Sequence, residues 1–387
     1  MLASTRVMIL SSSFGDGHMQ VALSIREALT DLCPSARVET IDYYQYVSPL
    51  LNRVVRTAYI KSFVLFPFLY GLSYRIVDEP TLEPTLPKKV LNSVGKQRLW
   101  ALLAEREPAV IVNTFPSTGG VVSMLKEEMG LNVPCVTIIT DYDFHSQWIH
   151  RNMDLYCVAT PEIKRNMQRL GIEANRIITT GIPIRRRFFT PFSPDRVREA
   201  HNLVPDRPTV LVMAGAYGVL PDVRGICRIL ASFQPHLQVA VVCGRNSKLH
   251  QQLVETYGGH PHFRIFSYME NMQELMGIAD LIVTKAGCLT ITEALHMHLP
   301  ILIYRPVPGQ ETKNTEFLLN RKVALTATSL RELGTVLQQL FSDNGLLSLK
   351  REMASWLPVD SSRLIAQQVL ALAGQSVDSR SDQPANG

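Results

Sequence analysis

The sequence predicts an α/β protein made of two doubly wound units in tandem. Short β-type runs alternate with helical patterns in the first half, and the alternation restarts after a polar, proline-bearing stretch at 190–208. Such alternation specifies parallel sheets covered by helices. A length of 387 residues suits two domains. We expect a first domain over 1–187, a second over 188–374 and a disordered tail over 375–387.

Each half contributes five strand-like runs. In the first half they are 6–12, 37–42, 109–113, 133–140 and 155–160, with helical patterns at 18–32, 97–107 and from Ser117. In the second half they are 209–214, 237–243, 262–266, 281–284 and 301–304, each with a helical pattern between it and the next. Three helical patterns close the chain, the last at 362–373, and periodicity does not say which half this one packs on.

Composition excludes several classes of protein. Apolar residues make up 46% and charged residues 19%, which is enough to build a core. The six cysteines are scattered without CxxC spacing, so we expect a reducing compartment and no structural zinc. The longest apolar run, 63–72, is too short to span a bilayer, and the first, 7–10, is too short for a signal peptide. A net charge of +5 gives no argument for nucleic acid binding.

One segment, 45–75, concentrates positive charge among apolar side chains. It has four basic residues and no acidic one, and the side chains we expect at a membrane surface are Arg53, Arg56, Lys61, Phe63, Phe66 and Phe68. Each basic residue near an anionic bilayer contributes on the order of 1 kcal/mol, and aromatic side chains can insert shallowly. We expect an interfacial flap, with a buried core helix as the alternative.

Both halves open with a strand, a loop of small residues and a helix. The loops contain Gly15 and Gly17 in the first half and Gly215 in the second. Glycines let backbone N–H groups approach a ligand, and the following helix N-terminus favours anions. Gly15-x-Gly17, with Asp42 farther on, partly matches a dinucleotide-binding pattern, but Gln20 stands where the third glycine belongs. A structural tight turn is the alternative.

His18 stands at the start of the helix that follows the first loop. An imidazole there would project over the loop amides, with an ordinary pKa suited to proton transfer near neutrality. A capping or solvent-exposed histidine is the alternative.

The densest polar pattern follows the strand at 281–284. Thr290 and Glu293 lie one helical turn apart, where free amides and a hydroxyl suit a diphosphate and the carboxylate suits ribose hydroxyls. An ordinary Thr-x-x-Glu capping box would explain the same two residues. Gln310 and Glu311, at the start of a later helix, could bind sugar hydroxyls, with helix-start solvation as the alternative.

Asp141 and Asp143, followed by His145 and His150, could indicate a metal site. The spacing leaves the remaining ligands unspecified, so we expect no metal. The carboxylate of Asp141 could instead orient or deprotonate a substrate hydroxyl.

Taken together, the motifs resemble the diacylglycerol glycosyltransferases, which include the monogalactosyldiacylglycerol synthases and the processive glucosyldiacylglycerol synthases. The resemblance covers roughly residues 6–340, and the peptidoglycan enzyme that adds N-acetylglucosamine to lipid I is similar more distantly. The motifs that carry it are Gly15-Asp-Gly17-His18, Thr140-Asp141 with His145 and Trp148, Gly181-Ile-Pro-Ile-Arg185, Cys243-Gly-Arg245-Asn246, Lys285-Ala-Gly287 through Glu293-Ala, and Pro308-Gly-Gln310-Glu311.

The resemblance implies a glycosyltransferase B fold, with two Rossmann-like domains facing across a cleft. The first would hold the acceptor lipid, with His18 as the base and Asp141 as a second candidate. The donor residues implied are Gly17, Arg185, Gly215, Ala216, Arg245, Gly287, Cys288, Leu289, Thr290, Glu293, Gln310 and Glu311. Thr290 and its neighbours would bind the diphosphate, Glu293 the ribose, Arg185 the phosphates or base, and Gln310 and Glu311 the hexose. Cys288-Leu289 departs from the Pro-Gly common in the family.

The implied reaction is an inverting transfer of glucose or galactose from a UDP-sugar to the 3-hydroxyl of 1,2-diacylglycerol, without a metal. The enzyme would be cytoplasmic and bind peripherally to anionic lipid on the inner face of the cell membrane. A transferase acting on a polyprenyl-linked acceptor such as lipid I, and a non-catalytic UDP-sugar sensor, are the alternatives.

Overall fold

The structure is a computed structural model that describes residues 5–14, 16–50, 52–53, 86–233, 235–342, 345–354, 356 and 358–381. These residues form two compact units. The chain leaves the first unit at Arg186 and returns to it at Val359, and the second unit occupies Arg187–Pro358.

The first unit contains a parallel sheet of six described strands. The strands are β1 (Arg6–Ser11), β2 (Arg37–Asp42), β3 (Val110–Asn113), β4 (Cys135–Ile138), β5 (Leu155–Val158) and β6 (Ile177–Thr179). The helices among them are α1 (Asp16–Leu32), α2 (Tyr43–Val47), α3 (Leu86–Ser93), α4 (Lys96–Arg106), α5 (Pro116–Met129) and α6 (Pro161–Arg169). Short 3₁₀ turns occupy Ser146–Trp148 and Ala174–Arg176, and a third, Arg186–Phe189, begins at the last residue before the chain enters the second unit. The strand order is β2-β1-β3-β4-β5-β6.

The second unit repeats the design. Its strands are β7 (Thr209–Met213), β8 (Gln238–Val242), β9 (Phe263–Phe266), β10 (Leu281–Thr284), β11 (Ile301–Tyr304) and β12 (Ala324–Ala327). Its helices are α7 (Pro194–Ala200), α8 (Val223–Ala231), α9 (Ser247–Tyr257), α10 (Met272–Ile278), α11 (Cys288–His296), α12 (Gln310–Asn320), α13 (Leu330–Ser342) and α14 (Gly345–Ala354). The strand order is β12-β11-β10-β7-β8-β9, again parallel in the described residues.

The central strands are buried along their whole length. Every residue of β3, β4, β10 and β11 is buried, as expected for strands covered by helices on both faces. This burial explains why the strands appear in the sequence as continuous apolar runs. By contrast, β6 and β12 are mixed in burial and lie at sheet edges, and the sequence pattern did not identify them.

The last described helix, α15 (Ser361–Ser381), packs on α1 and β3 and so belongs to the first unit. Ile365, Ala366, Val369 and Ala373 are fully buried, at the spacing of one helical face. The helix continues beyond Gly374, so residues 375–381 are helical, and the expected disordered tail is wrong for them. Once nucleated by buried residues, a helix extends at little cost, and one internal glycine costs only about 1 kcal/mol. Residues 382–387 lie outside the described residues.

Each sheet has one place where the strand order reverses. In the first sheet it lies between β1 and β3, and in the second between β7 and β10. Loops that leave the carboxyl ends of such strands turn to opposite sides and leave a crevice, which is where open α/β sheets bind ligands. The two crevices therefore identify where a site should be sought.

The expected membrane segment falls mostly outside the described residues. Five of the expected membrane-surface residues lie outside the described residues: Arg56, Lys61, Phe63, Phe66 and Phe68. The sixth, Arg53, is described and exposed. None of the helices in the described part of the chain is both long enough and apolar enough to cross a membrane.

Candidate functional site

His18 lies in the crevice of the first sheet, near the start of α1. Its Nδ1 is 2.8 Å from the carbonyl oxygen of Thr114, the residue that follows β3, and 3.2 Å from Oγ1 of Thr140. A carbonyl oxygen only accepts, so Nδ1 carries the proton and Nε2 carries the lone pair. Burial lowers the pKa of His18 to about 4, and the Thr114 hydrogen bond opposes that shift. The imidazole is therefore neutral at pH 7 and presents a basic nitrogen.

Aromatic rings surround this imidazole. The Phe115 ring meets it edge-on, with centroids 5.0 Å apart, and the buried Trp148 lies 6.1 Å away. Phe14, from the loop after β1, stacks on Tyr44 at 4.6 Å. Phe115 and Trp148 exclude water from part of the imidazole, and this burial lowers its pKa.

Asp141 follows Thr140 and is buried, at 2% exposure. Because β4 ends at Ile138, Asp141 and Asp143 lie in the loop beyond the strand. No group of three or more His, Cys, Asp or Glu side chains in the described ranges is arranged to hold a metal ion. The burial of Asp141 does not test its expected role beside an acceptor, which stays a prediction.

In the second sheet, the loops after β7 and β8 lie close together. Gly244 has a φ of +63°, and a methyl group there would come within 2.6 Å of the Ala216 carbonyl oxygen. Arg245 donates its backbone N–H to that same oxygen, at 2.8 Å, and its guanidinium lies 4.3 Å from the centre of the Tyr268 ring. Ala216 and Arg245 thus belong to one cluster, with Gly215 beside them.

The loop after β10 reaches the same crevice, since a Cβ on Gly215 would lie 3.8 Å from Cε of Lys285. Lys285 donates from Nζ to Oε1 of Glu311 at 2.5 Å, and Oε2 of Glu311 accepts from the backbone N–H of Val307 at 3.2 Å. Glu311 is 6% exposed. Its carboxylate therefore positions Lys285 in the crevice, a role that the sequence pattern did not indicate.

Helix α11 begins at Cys288, with Gly287 as its N-cap and no side-chain capping bond. Thr290 is the third helical residue, so the capping-box alternative is wrong. Glu293, one turn on, is buried at 3% exposure. The first amides of a helix have no acceptor within it and carry the positive end of its dipole. Gly287, Cys288, Leu289 and Thr290 thus form a helix start of the kind that suits an anion, next to Lys285, and their expected contact with a diphosphate stays a prediction.

The remaining expected donor residues are less concentrated. Gln310 is the first residue of α12 and is half-buried. Gly17 is the second residue of α1, and Arg185 lies in the first unit shortly before the chain leaves it. Asp42, the residue behind the dinucleotide alternative, caps α2 through a bond from the backbone N–H of Gln45. That contact gives Asp42 a structural role.

The chain is similar to known proteins along nearly its whole length. Residues 18–184 match the family described as monogalactosyldiacylglycerol (MGDG) synthase, and residues 209–344 match the glycosyltransferase family 28 C-terminal domain. A processive diacylglycerol beta-glucosyltransferase of Bacillus cereus is 33% identical over 376 residues, covering 96% of this chain and 95% of the relative. The chain belongs to the diacylglycerol glycosyltransferase family. A Bacillus cytotoxicus enzyme of the same name is 33% identical over 92% of this chain and 90% of its own length.

Solved structures of other proteins are similar in fold to this member of the diacylglycerol glycosyltransferase family. The match to MurG of Acinetobacter baumannii covers 95% of this chain and 100% of the MurG chain, with a TM-score of 0.63 at 14% sequence identity. The MnaA–UDP structure of S. aureus covers 99% and 100%, with a TM-score of 0.62 at 12% identity. These likenesses and the two parallel sheets confirm the expected glycosyltransferase B fold, and the family matches confirm the resemblance inferred from the motifs.

Sequence reasoning missed the contacts that hold the key groups. Thr114 and Thr140 reach His18 across 96 and 122 residues, and Lys285 reaches Glu311 across 26. The one available signal was position in the sequence, because Thr114, Thr140 and Lys285 each follow, or closely follow, a strand of a parallel sheet. Residues at the carboxyl ends of neighbouring strands share an edge, so they are candidates for contact.

Proposed function

We propose that this chain is a processive diacylglycerol beta-glucosyltransferase, which moves glucose from UDP-glucose to the 3-hydroxyl of 1,2-diacylglycerol and then extends the glycolipid. The proposal rests on the 33% identity, over 96% of the chain, to an enzyme of that name. The observation in the structure that supports it best is a neutral imidazole with Nε2 as its basic nitrogen, in the crevice of the first sheet. We propose glucose and not galactose as the transferred sugar because the relatives that match over 90% or more of their own length are named glucosyltransferases.

In the proposed reaction, Nε2 of His18 takes the proton of the acceptor hydroxyl. The oxygen attacks the anomeric carbon from the face opposite the leaving group, so the α-linked donor yields a β-glucoside. The bond from that carbon to the phosphate oxygen breaks, and UDP leaves with the electron pair. His18 afterwards releases the proton to solvent.

The second unit supplies the donor site in this proposal. The first amides of α11 and the ammonium of Lys285 stabilise the negative charge that develops on the departing diphosphate. Glu293 is assigned to the ribose hydroxyls, and Gln310 to the hexose. Glu311 holds Lys285 and so acts on the donor through the lysine.

The activity test is direct. The purified chain, diacylglycerol vesicles and EDTA are incubated with radiolabelled UDP-glucose or UDP-galactose, and lipid products are separated by thin-layer chromatography. We expect glucolipids carrying one and more sugars from UDP-glucose, formed in the presence of EDTA. Product only with a polyprenyl-linked acceptor would establish the lipid I type of reaction. UDP-glucose binding in calorimetry without product from any lipid would establish a sensor.

We also propose that the enzyme binds the surface of an anionic bilayer through the segment 45–75. Among its described residues, Leu50 is 72% exposed, Tyr46 is 40% exposed and Arg53 is exposed, and Val90 nearby in the sequence is 67% exposed. Apolar and basic side chains exposed together are typical of interfacial contact.

Flotation with vesicles tests this binding. We expect binding to vesicles containing anionic lipid and much weaker binding to purely zwitterionic ones. Reversing Arg53, Arg56 and Lys61 to Glu should release the protein. The matched control reverses Arg26, Arg165 and Arg169, which are exposed elsewhere in the first unit, for the same change in net charge. Equal loss of binding in both variants would contradict a localised surface.

A further inference from the structure

Nδ1 of His18 has a second oxygen in reach besides the Thr114 carbonyl. Oγ1 of Thr140 lies 3.2 Å from Nδ1, beyond the end of β4, and Thr140 is itself buried at 7% exposure. We propose that Thr140 is a positioning residue for His18, one that fixes the ring and shares the charge formed when the ring takes up the acceptor proton. This inference depends on the proposed role of His18 as the base.

The two oxygens have different duties. The Thr114 carbonyl can only accept, so it decides that Nδ1 is the protonated nitrogen. With no lone pair left on Nδ1, the Thr140 hydroxyl must accept from the same N–H, as the weaker arm of a three-centre bond. Nε2 is then left free of the proton and available to an acceptor hydroxyl.

The surroundings keep the ring in this orientation. The edge of Phe115 meets the imidazole at 88°, and the Thr114 hydroxyl lies 3.3 Å from the backbone carbonyl oxygen of His18, to which it can donate. Rotating the ring would break both contacts at Nδ1 and drive it against these neighbours. Thr140, which lies two residues beyond the end of β4, thus anchors the ring at Nδ1. Phe115, which lies two residues beyond the end of β3, packs edge-on against the same ring.

Charge sharing follows from the reaction itself. When Nε2 gains a proton the ring becomes an imidazolium, and its Nδ1–H becomes a stronger donor. Burial opposes that positive charge, so oxygens already aligned on Nδ1 count for more than they would in water. In serine proteases a carboxylate accepts from this nitrogen. Here the oxygens that the structure places on Nδ1 are those of a neutral carbonyl and a neutral hydroxyl.

Three variants test the proposal. Thr140→Val removes the oxygen at nearly constant volume, and Thr140→Ser keeps it. Thr137→Val is the control, because Thr137 is a buried threonine of β4 whose hydroxyl contacts Met153 and not His18. We expect Thr140→Val to lower kcat about 3- to 10-fold with an unchanged KM for UDP-glucose, as for loss of one neutral hydrogen bond. Thr140→Ser should restore at least half of the wild-type kcat, and Thr137→Val should leave kcat unchanged.

Histidine-labelled protein gives a readout that is independent of activity. ¹H–¹⁵N spectra, with His18→Gln identifying the signals, report which ring nitrogen carries the proton. We expect Nδ1–H in the wild type, with its proton resonance moving upfield in Thr140→Val and returning in Thr140→Ser. Protonation on Nε2, or a resonance unaffected in Thr140→Val, would overturn the inference whatever the activity.

The two proposals can fail separately. If the resonance moves in Thr140→Val but turnover is equal to wild type, the positioning of the ring has no catalytic value and the inference is overturned. If His18→Gln itself retains full turnover, the role of His18 as the base fails first. An equal loss of kcat in Thr137→Val would reduce the effect to general packing and would also overturn the inference.

Discussion

The two crevices occupy the same place in two similar sheets but differ in chemistry. The first is lined by Phe14, Phe115 and Trp148 around a neutral histidine. The second is lined by close-packed loops, a helix N-terminus and the Lys285–Glu311 pair. Sheet topology therefore decides where a site forms, whereas the residues after each strand decide what the site can do.

Each lining suits one half of the proposed transfer. Proton removal benefits from a neutral imidazole, which the aromatic rings favour by excluding water from part of its surface. Holding a diphosphate benefits from amides and a cation, which the second crevice provides. Variants confined to one crevice should therefore damage one half of the reaction and spare the other.

The largest effect is expected from His18→Ala. Loss of a general base typically lowers turnover about 10²- to 10⁴-fold. UDP affinity, measured by calorimetry, should stay within about 2-fold of wild type because the donor site is assigned to the second unit. His236→Ala, at an exposed histidine of the second unit, is the control and should be silent. A parallel loss of UDP affinity in His18→Ala would break the division between the crevices.

The next effect is expected from Gly244→Ala, which changes only the second crevice. The added methyl group would overlap the Gly215 carbonyl oxygen and strain a backbone at φ +63°. We expect the free energy of unfolding to fall by about 3 kcal/mol and UDP affinity to weaken. Gly130→Ala is the matched control, with φ +68° but open space around the new methyl group. It should cost about 1 kcal/mol, and equal costs would show that no close approach exists at Gly244.

A smaller loss is expected from Lys285→Met, which leaves the carboxylate of Glu311 without its cation. We expect a cost of about 2 kcal/mol in urea unfolding, below that of a fully buried pair because Lys285 is 23% exposed. Lys350→Met, in the more exposed Lys350–Asp280 pair, should cost less than about 1 kcal/mol. The double variant Lys285→Met, Glu311→Gln should recover stability but not UDP affinity. Recovery of both would show that the lysine does not contact the donor.

The strands show how much of the fold the sequence contains. The bounds of β10 and β11 agree with the pattern because buried parallel strands are runs of apolar residues with sharp polar ends. The bounds of the edge strand β2 also agree, although none of its residues is fully buried. The edge strands β6 and β12 have three and four residues of mixed burial, too little contrast to separate from a loop. Burial on both faces therefore makes a strand visible in sequence, whereas β6 and β12 were missed because they combine an edge position with short length and mixed burial.

The site was only partly predictable for a related reason. Motif spacing made His18, Thr290 and Glu293 candidates because each lies next to a strand–loop–helix junction, and their roles stay predictions. The tautomer of His18 depends on Thr114, on a strand that is distant in sequence and adjacent only after the sheet forms. Likewise, the pairing of Glu311 with Lys285 requires β10 and β11 to be neighbours. Such partners are properties of topology, not of local sequence.

The last expected effect concerns pH. The pKa of His18 is lowered from 6.5 to about 4 in the folded chain, so between those values the unfolded chain binds the proton more readily. The free energy of unfolding should therefore decrease as the pH falls from about 6.5 towards 4, and should not depend on His18 above that range. Urea unfolding at pH 7 and pH 5 should show a larger decrease for wild type than for His18→Gln. Equal decreases in the free energy of unfolding for the two proteins would mean that folding does not lower the pKa of His18.

The return of α15 to the first unit has a consequence for synthesis. The faces of α1 and β3 that α15 covers emerge early from the ribosome, but α15 is made only after the whole of Arg187–Pro358. The stretch Arg187–Pro358 is continuous in sequence and can complete its core first. The unit that begins the chain is thus the one that finishes folding last, and until then its open apolar face is a natural target for chaperones.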